Sequence, residues 1–210
     1  MQRCSTALLV SVAAALASAA AAAASAPLQN LPAAVFDTGT PPDAFGTDGF
    51  DVSSAQSVAF RFFNNADGPL LAVELWLMSN TNGSKPFPTV DVSLRAGSAA
   101  APGPEAQALE RWSGVAVEAA GWTPLKVTLN STRTPELAFG GFYWVVASSA
   151  APGGQDPLWA QSNTIAFGAT NAGGDSQWQA GAAGQAAAVR VLIYQAPIEA
   201  RARGAPLRRG

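Results

Sequence analysis

Apolar and polar residues alternate along much of this chain, in short runs separated by turn-forming residues. Residues 56–63 place Val58, Phe60 and Phe62 on one face. Residues 70–78 set Leu71, Val73, Leu75 and Leu77 against Ala72, Glu74, Trp76 and Met78. Residues 89–95 alternate Val90, Val92 and Leu94, and residues 188–195 alternate Val189, Val191 and Ile193 with Arg190, Leu192 and Tyr194. Shorter runs occur at 115–118 and 125–129, and weaker ones at 34–37, 158–160 and 164–167. A period of two is that of a β-strand with one face covered. Residues 141–148 differ, because Phe142, Trp144 and Val146 oppose Tyr143, Val145 and Ala147. Apolar residues on both faces predict a central strand covered on both sides.

The segments 64–69, 80–88, 97–104, 149–157 and 169–174 are rich in Gly, Pro, Asn and Ser. These residues supply the fixed or positive φ of turns. Helical periodicity is scarce after residue 26, so nothing is available to cross between parallel neighbours. The chain therefore predicts an all-β fold: an antiparallel two-sheet sandwich of about eight to ten strands, with jelly-roll or Greek-key connections. One domain covers 27–196, a size that allows a proper core.

The amino end reads differently. Arg3 precedes a weakly apolar, alanine-dominated run over 7–24, and Ala24-Ser25-Ala26 supplies small residues where a signal peptidase cuts. Residues 1–26 are expected to be a secretory signal peptide, cleaved after Ala26 or Ala24, and the protein to be extracellular. A run of alanine and serine holds poorly in a bilayer, so no stable membrane insertion is expected. Cys4 lies ahead of the apolar run and is not placed as a lipid-bearing cysteine.

Composition narrows the chemistry. Hydrophobic residues make up 49% of the 210, but 46 of them are alanine, a weak core former. There is no histidine, and Cys4 is the single cysteine. A mature chain without imidazole or thiol excludes Ser-His-Asp and Cys-His catalysis, His or Cys metal sites and disulfide scaffolding. No cofactor is expected. Residues 27–196 hold seven basic and thirteen acidic residues, a net charge of −6 that disfavours nucleic acid as a partner. Residues 197–210 carry Arg201, Arg203, Arg208 and Arg209 against Glu199 and are expected to form a disordered basic tail.

Several constellations bear on function. Val35-Phe36-Asp37-Thr38-Gly39-Thr40 resembles the aspartic-protease signature. That chemistry needs a second Asp-Thr/Ser-Gly, which Asp175-Ser176-Gln177 does not supply, so a strand ending in an Asp-Thr-Gly turn is expected. Asp43, Asp48 and Asp51 are weak calcium candidates without the spacing of an EF-hand loop. Six tryptophans stand out in so alanine-rich a chain. Burial is the simpler expectation for Trp76 and Trp144, since such a core needs bulky aromatics. As a functional alternative, an exposed Trp76 beside Glu74 could stack a sugar ring and bind its hydroxyls. Trp112, Trp159 and Trp178 near turns complete this glycan-binding set. Glu74, Glu105, Glu110, Glu118 and Glu136 are present for glycosidase chemistry, but no paired motif joins any two of them. Asn82-Gly83-Ser84 and Asn130-Ser131-Thr132 are glycosylation sequons, usable in a eukaryotic host.

From Val58 to Leu192 the order of features resembles the "choice-of-anchor" secreted domains, particularly the type R group. The resemblance rests on Phe60 and Phe62, the leucine-rich run 71–77, the valine-rich run 90–94 and the loop Pro102-Gly103. The strand Gly141-Phe142-Tyr143-Trp144-Val145-Val146 and the downstream Trp159 and Trp178 complete it. It implies a secreted or surface β-sandwich and no particular reaction. The chain ends on Arg208-Arg209-Gly210, unlike the apolar sorting tails that give those domains their name. The expected function is a non-enzymatic binding or structural module at a cell surface, wall or extracellular matrix. Its expected partners are extracellular polysaccharide or surface proteins; the alternative is a carboxylate-dependent glycoside hydrolase or lyase.

Overall fold

Every regular element described in the computed structural model of the chain is a strand, thirteen in all. In chain order they are β1 (Leu31–Asp37), β2 (Gly49–Asp51), β3 (Ser57–Phe63), β4 (Gly68–Met78), β5 (Thr89–Gly97), β6 (Ala108–Ala116) and β7 (Leu125–Asn130). There follow β8 (Glu136–Leu137), β9 (Phe142–Ser148), β10 (Leu158–Asn171), β11 (Trp178–Ala180), β12 (Gly184–Ala187) and β13 (Val189–Gln195). The structure describes residues 31–42, 48–81, 86–101, 103–119, 121–151, 157–171, 178–180 and 184–195. The expected signal peptide, the basic tail, Asp43 and Asn82 lie outside the described residues.

All strand pairs are antiparallel, and they form two layers. One runs β1-β13-β4-β7, the other β11-β10-β3-β9-β5-β6. Spatial neighbours are mostly distant in sequence, so few of the connections are hairpins. Strand β10 belongs to both layers. Its Leu158 and Trp159 pair with Met78 and Leu77 of β4, while Phe167–Asn171 pair with β3. Between these ends the register against β12 shifts between Gln161 and Ile165. Such strand-switching bends make the corners of β-sandwiches.

The core fills the space between the layers. Leu70, Val73, Leu75, Leu77, Val189, Val191 and Ile193 face Val58, Phe60, Phe62, Val90, Val92, Leu94 and Val145. Aromatic contacts tie the cluster together: Phe36 stacks on Phe62 at 5.1 Å, and Trp159 meets Phe60 edge-on at 5.4 Å. Strand β9 is central, with β3 on one side and β5 on the other, as its two apolar faces imply. Its second face is covered too. Trp144 and Val146 cluster with Ala59 and Ala169 on the outside of that sheet, against half-buried Phe167 and Trp178.

Four features depart from the sequence reading. Strands are more numerous because β2, β8, β11 and β12, of two to four residues, are too short for alternation to register. The runs at 158–160 and 164–167 are one strand, β10, whose polar Gln161, Ser162 and Asn163 mark its bend. Only Val115 and Ala116 of the run at 115–118 lie in a strand, as the end of the longer β6, an edge strand whose exposed positions hide its pattern. In β4, Leu192 lies opposite Ala72 but Ile193 opposite Leu70, so Leu71 is the extra residue of a bulge. The bulge turns Leu70 into the core and leaves Leu71 half-buried, whereas strict alternation places Leu71 inside.

Candidate functional site

The Asp-Thr-Gly turn ends β1 as expected. Asp37 Oδ1 accepts the Gly39 amide at 2.8 Å, and Gly39 has φ 84°, a left-handed conformation that favours glycine. The Thr38 hydroxyl donates to Ala187 O at 2.8 Å and accepts from Val189 N at 2.8 Å, tying β1 to the junction of β12 and β13. The triplet serves as strand-joining hardware.

Glu74 and Trp76 share the outer face of the first layer, yet they form no exposed platform. Trp76 is 8% exposed, packed with Met78, Leu158, Ala160 and Ala188 beneath half-buried Trp122. Glu74 is 7% exposed and flanked by cations: Lys126 Nζ at 3.0 Å and Arg190 Nη1 at 3.4 Å. Arg190 Nε also meets Asp37 Oδ2 at 2.7 Å. The four side chains form a ladder of alternating charge across β1, β13, β4 and β7. Sequence alternation puts Glu74 and Trp76 on the second face correctly, but a loop after β6 covers Trp76. The Trp122 amide of that loop donates to Ser79 O at 3.3 Å.

The other tryptophans are scattered. Trp159 is fully buried between the layers, its Nε1 donating to Ala188 O at 3.0 Å. Trp178 packs on the outer face of the second layer, where a Cβ on Gly103 would fall on its own Cβ. Trp112, half-buried on β6, donates Nε1–H to Asn130 O at 2.8 Å. No two of Trp76, Trp112, Trp159 and Trp178 present a common ring surface.

Trp112 belongs to a different arrangement, built on Glu110. Glu110 lies opposite Leu94 and so faces the sandwich interior from its edge, 1% exposed. Its carboxylate accepts from Ser131 Oγ at 2.8 Å, Thr132 Oγ1 at 3.0 Å and Arg133 N at 3.0 Å, with Thr132 N at 3.4 Å. Burial by itself would raise the Glu110 pKa. The hydrogen bonds from Ser131, Arg133 and Thr132 outweigh it and hold the carboxyl below its ordinary value. Glu110 and Trp112 thus clasp the turn after β7 to the edge of the opposite layer. Asn130 is exposed at this turn, while both hydroxyls of its sequon point to Glu110. Glu74 and Glu110, the two buried glutamates among the described residues, lie on different faces, each filled by its own partners.

Asp48 precedes β2 and Asp51 is its last residue. Asp48 O accepts Gln161 N at 2.9 Å, and Asp51 Oδ2 accepts Ser53 Oγ at 3.1 Å. Among the described residues no three acidic side chains gather as metal ligands would.

A concave feature lies elsewhere. A cavity of about 270 Å³ opens at the bend of β10, with Phe50, Phe60, Gln161, Thr170 and Gln185 in its walls. The sequence reading missed these residues. The available signal was Gly168 directly after the alternating run 164–167, since glycine in a strand marks a bend or an open space.

Fold and side-chain geometry together define an antiparallel two-sheet β-sandwich whose buried carboxylates join strands. No protein-family model matches the chain, and no curated protein matches it either.

Proposed function

We propose that the protein is a secreted, non-enzymatic β-sandwich that serves as a binding or structural module at a cell surface, wall or extracellular matrix, with glycans as its ligands. The observation that favours this reading over the glycoside-hydrolase alternative is the engagement of Glu74 and Glu110. Hydrolysis of a glycoside calls for two carboxyl groups about 5–9 Å apart across one cleft. Here one carboxylate sits in a charge ladder on an outer face and the other in a hydrogen-bonded clasp at an inner edge. The leader-like amino end and the resemblance to choice-of-anchor domains support the extracellular placement.

Affinity electrophoresis and pull-down on insoluble cellulose, chitin and peptidoglycan test the reading. Retention without release of soluble reducing sugar is the expected result. Release of sugar by the purified protein, lost in Glu74→Gln or Glu110→Gln, would establish the hydrolase alternative instead.

A further inference from the structure

The cavity at the bend of β10 exists because small residues occupy inward positions there. Gly168 pairs directly with Phe60, so the two share a face, and Gly168 places nothing on it. A Cβ at 168 would come within 3.0 Å of the Phe60 ring. The register shift between Gln161 and Ile165 further opens the ladder against β12. Phe60 is held rigidly, edge-on to Trp159 at 5.4 Å and to Phe50 at 5.1 Å. The result is an aromatic wall beside three uncharged polar side chains, Gln161, Thr170 and Gln185.

This lining selects a chemistry. None of its described residues is ionisable, so a charged ligand would give up hydration with no counter-charge to offset the loss. Each glutamine offers two donors and an acceptor, and threonine offers one donor with two lone pairs. A sugar ring carries hydroxyls that both donate and accept, beside a C–H face that covers an aromatic surface. At about 30 Å³ per water the cavity holds roughly nine waters, the room for one ring.

We propose that this cavity is a glycan subsite that takes one uncharged pyranose unit, a chain end or a side branch. The proposal rests on the glycan-binding reading above and adds the site and the ligand class to it. Half-buried Phe50 covers the ring's apolar face, with buried Phe60 as the floor behind it, and Gln161, Gln185 and Thr170 bind its hydroxyls.

Saturation-transfer NMR on the full chain tests it, with the methyl glycosides of glucose, galactose, mannose and N-acetylglucosamine as probes and the methyl glycoside of glucuronic acid, its carboxylate free, as the charged control. Tryptophan fluorescence gives a second readout, since the Trp159 indole leans on Phe60. Binding of at least one neutral glycoside, without glucuronate, is expected. Gln161→Ala and Gln185→Ala should each weaken it about fivefold to tenfold. Ala166→Leu, which fills the cavity, should abolish it. If that variant does not fold, the Gln161→Ala/Gln185→Ala pair at accessible positions carries the test. Neutral glycosides that fail to bind, or that bind undiminished to these variants, overturn the subsite. Polysaccharide retention that survives in the variants would then leave the proposed function standing with its site elsewhere. Loss of both monosaccharide and polysaccharide binding in the wild type would remove the two together.

Discussion

The Glu110 carboxylate and the Thr132 hydroxyl meet at 3.0 Å across the side of the sandwich, joining edge strand β6 of one layer to the turn that leaves β7 of the other. Glu110 has Leu94 as its neighbour on the inner face, a position where an unpaired charge would be costly. Donors from three consecutive residues, Ser131, Thr132 and Arg133, make the position tolerable.

Glu110→Ala should therefore cost about 2–3 kcal/mol at neutral pH, by removing charge-assisted bonds and leaving their donors unmatched. The pH dependence has a definite sign. A carboxyl held below its ordinary value of 4.5 stabilises the fold fully above that pH, and the contribution falls as pH drops toward the lowered value. Urea unfolding of wild type and Glu110→Gln, at pH 7 and in the acid range below 4.5, should show a smaller acid loss in the variant. An equal loss in both would mean that Glu110 titrates normally.

Trp144 and Trp76 lie on the outer faces of different layers, and both are buried, at 0% and 8% exposure. Truncating either to alanine should cost about 3–5 kcal/mol, the range for emptying a large buried site. Urea denaturation measures both. A loss below about 1.5 kcal/mol at Trp76 would mean that its covering loop lies open in solution.

In the charge ladder, the order of effects follows exposure. The Lys126 side chain is 48% exposed and meets one carboxylate, so Lys126→Ala should change stability by about 0.5 kcal/mol or less. Arg190 joins Glu74 and Asp37 at once, and Arg190→Ala should cost more, about 1–2 kcal/mol. Added salt should narrow the gap only in part, since the Glu74 side chain is 9% exposed. Equal effects in a thermal melt would contradict the ladder.

Gly97 lies against the Trp144 indole, and the Arg61 guanidinium holds the residues that follow it, Ser98 and Ala99. Arg61 donates to Ala99 O at 2.9 Å while its Cζ lies 4.1 Å from the Phe167 ring centre. A Cβ on Gly97 would fall on the Trp144 indole nitrogen. Gly97→Ala should cost about 1–3 kcal/mol through overpacking and shift tryptophan emission to the red. Unchanged emission with unchanged stability would place Gly97 away from the indole.

Much of the strand content was legible because alternation is a local property. Val58, Phe60 and Phe62 on one side of β3, or Val189, Val191 and Ile193 on one side of β13, follow from the period of two. The double apolar face of β9 identified it as central, and Asp37-Thr38-Gly39 identified a turn. Which face a loop then covers, and which residues meet across the sandwich, depends on neighbours far along the chain. Arg190 meets Asp37 from 153 residues away, and Thr38 meets Ala187 from 149. No local pattern encodes such distances. Hence Trp76 and Glu74 were placed on the right face, while their burial was decided by the Trp122 loop and by Arg190 and Lys126. The bend of β10 and its cavity were also decided in three dimensions, because a strand can change sheets only where its partners give way.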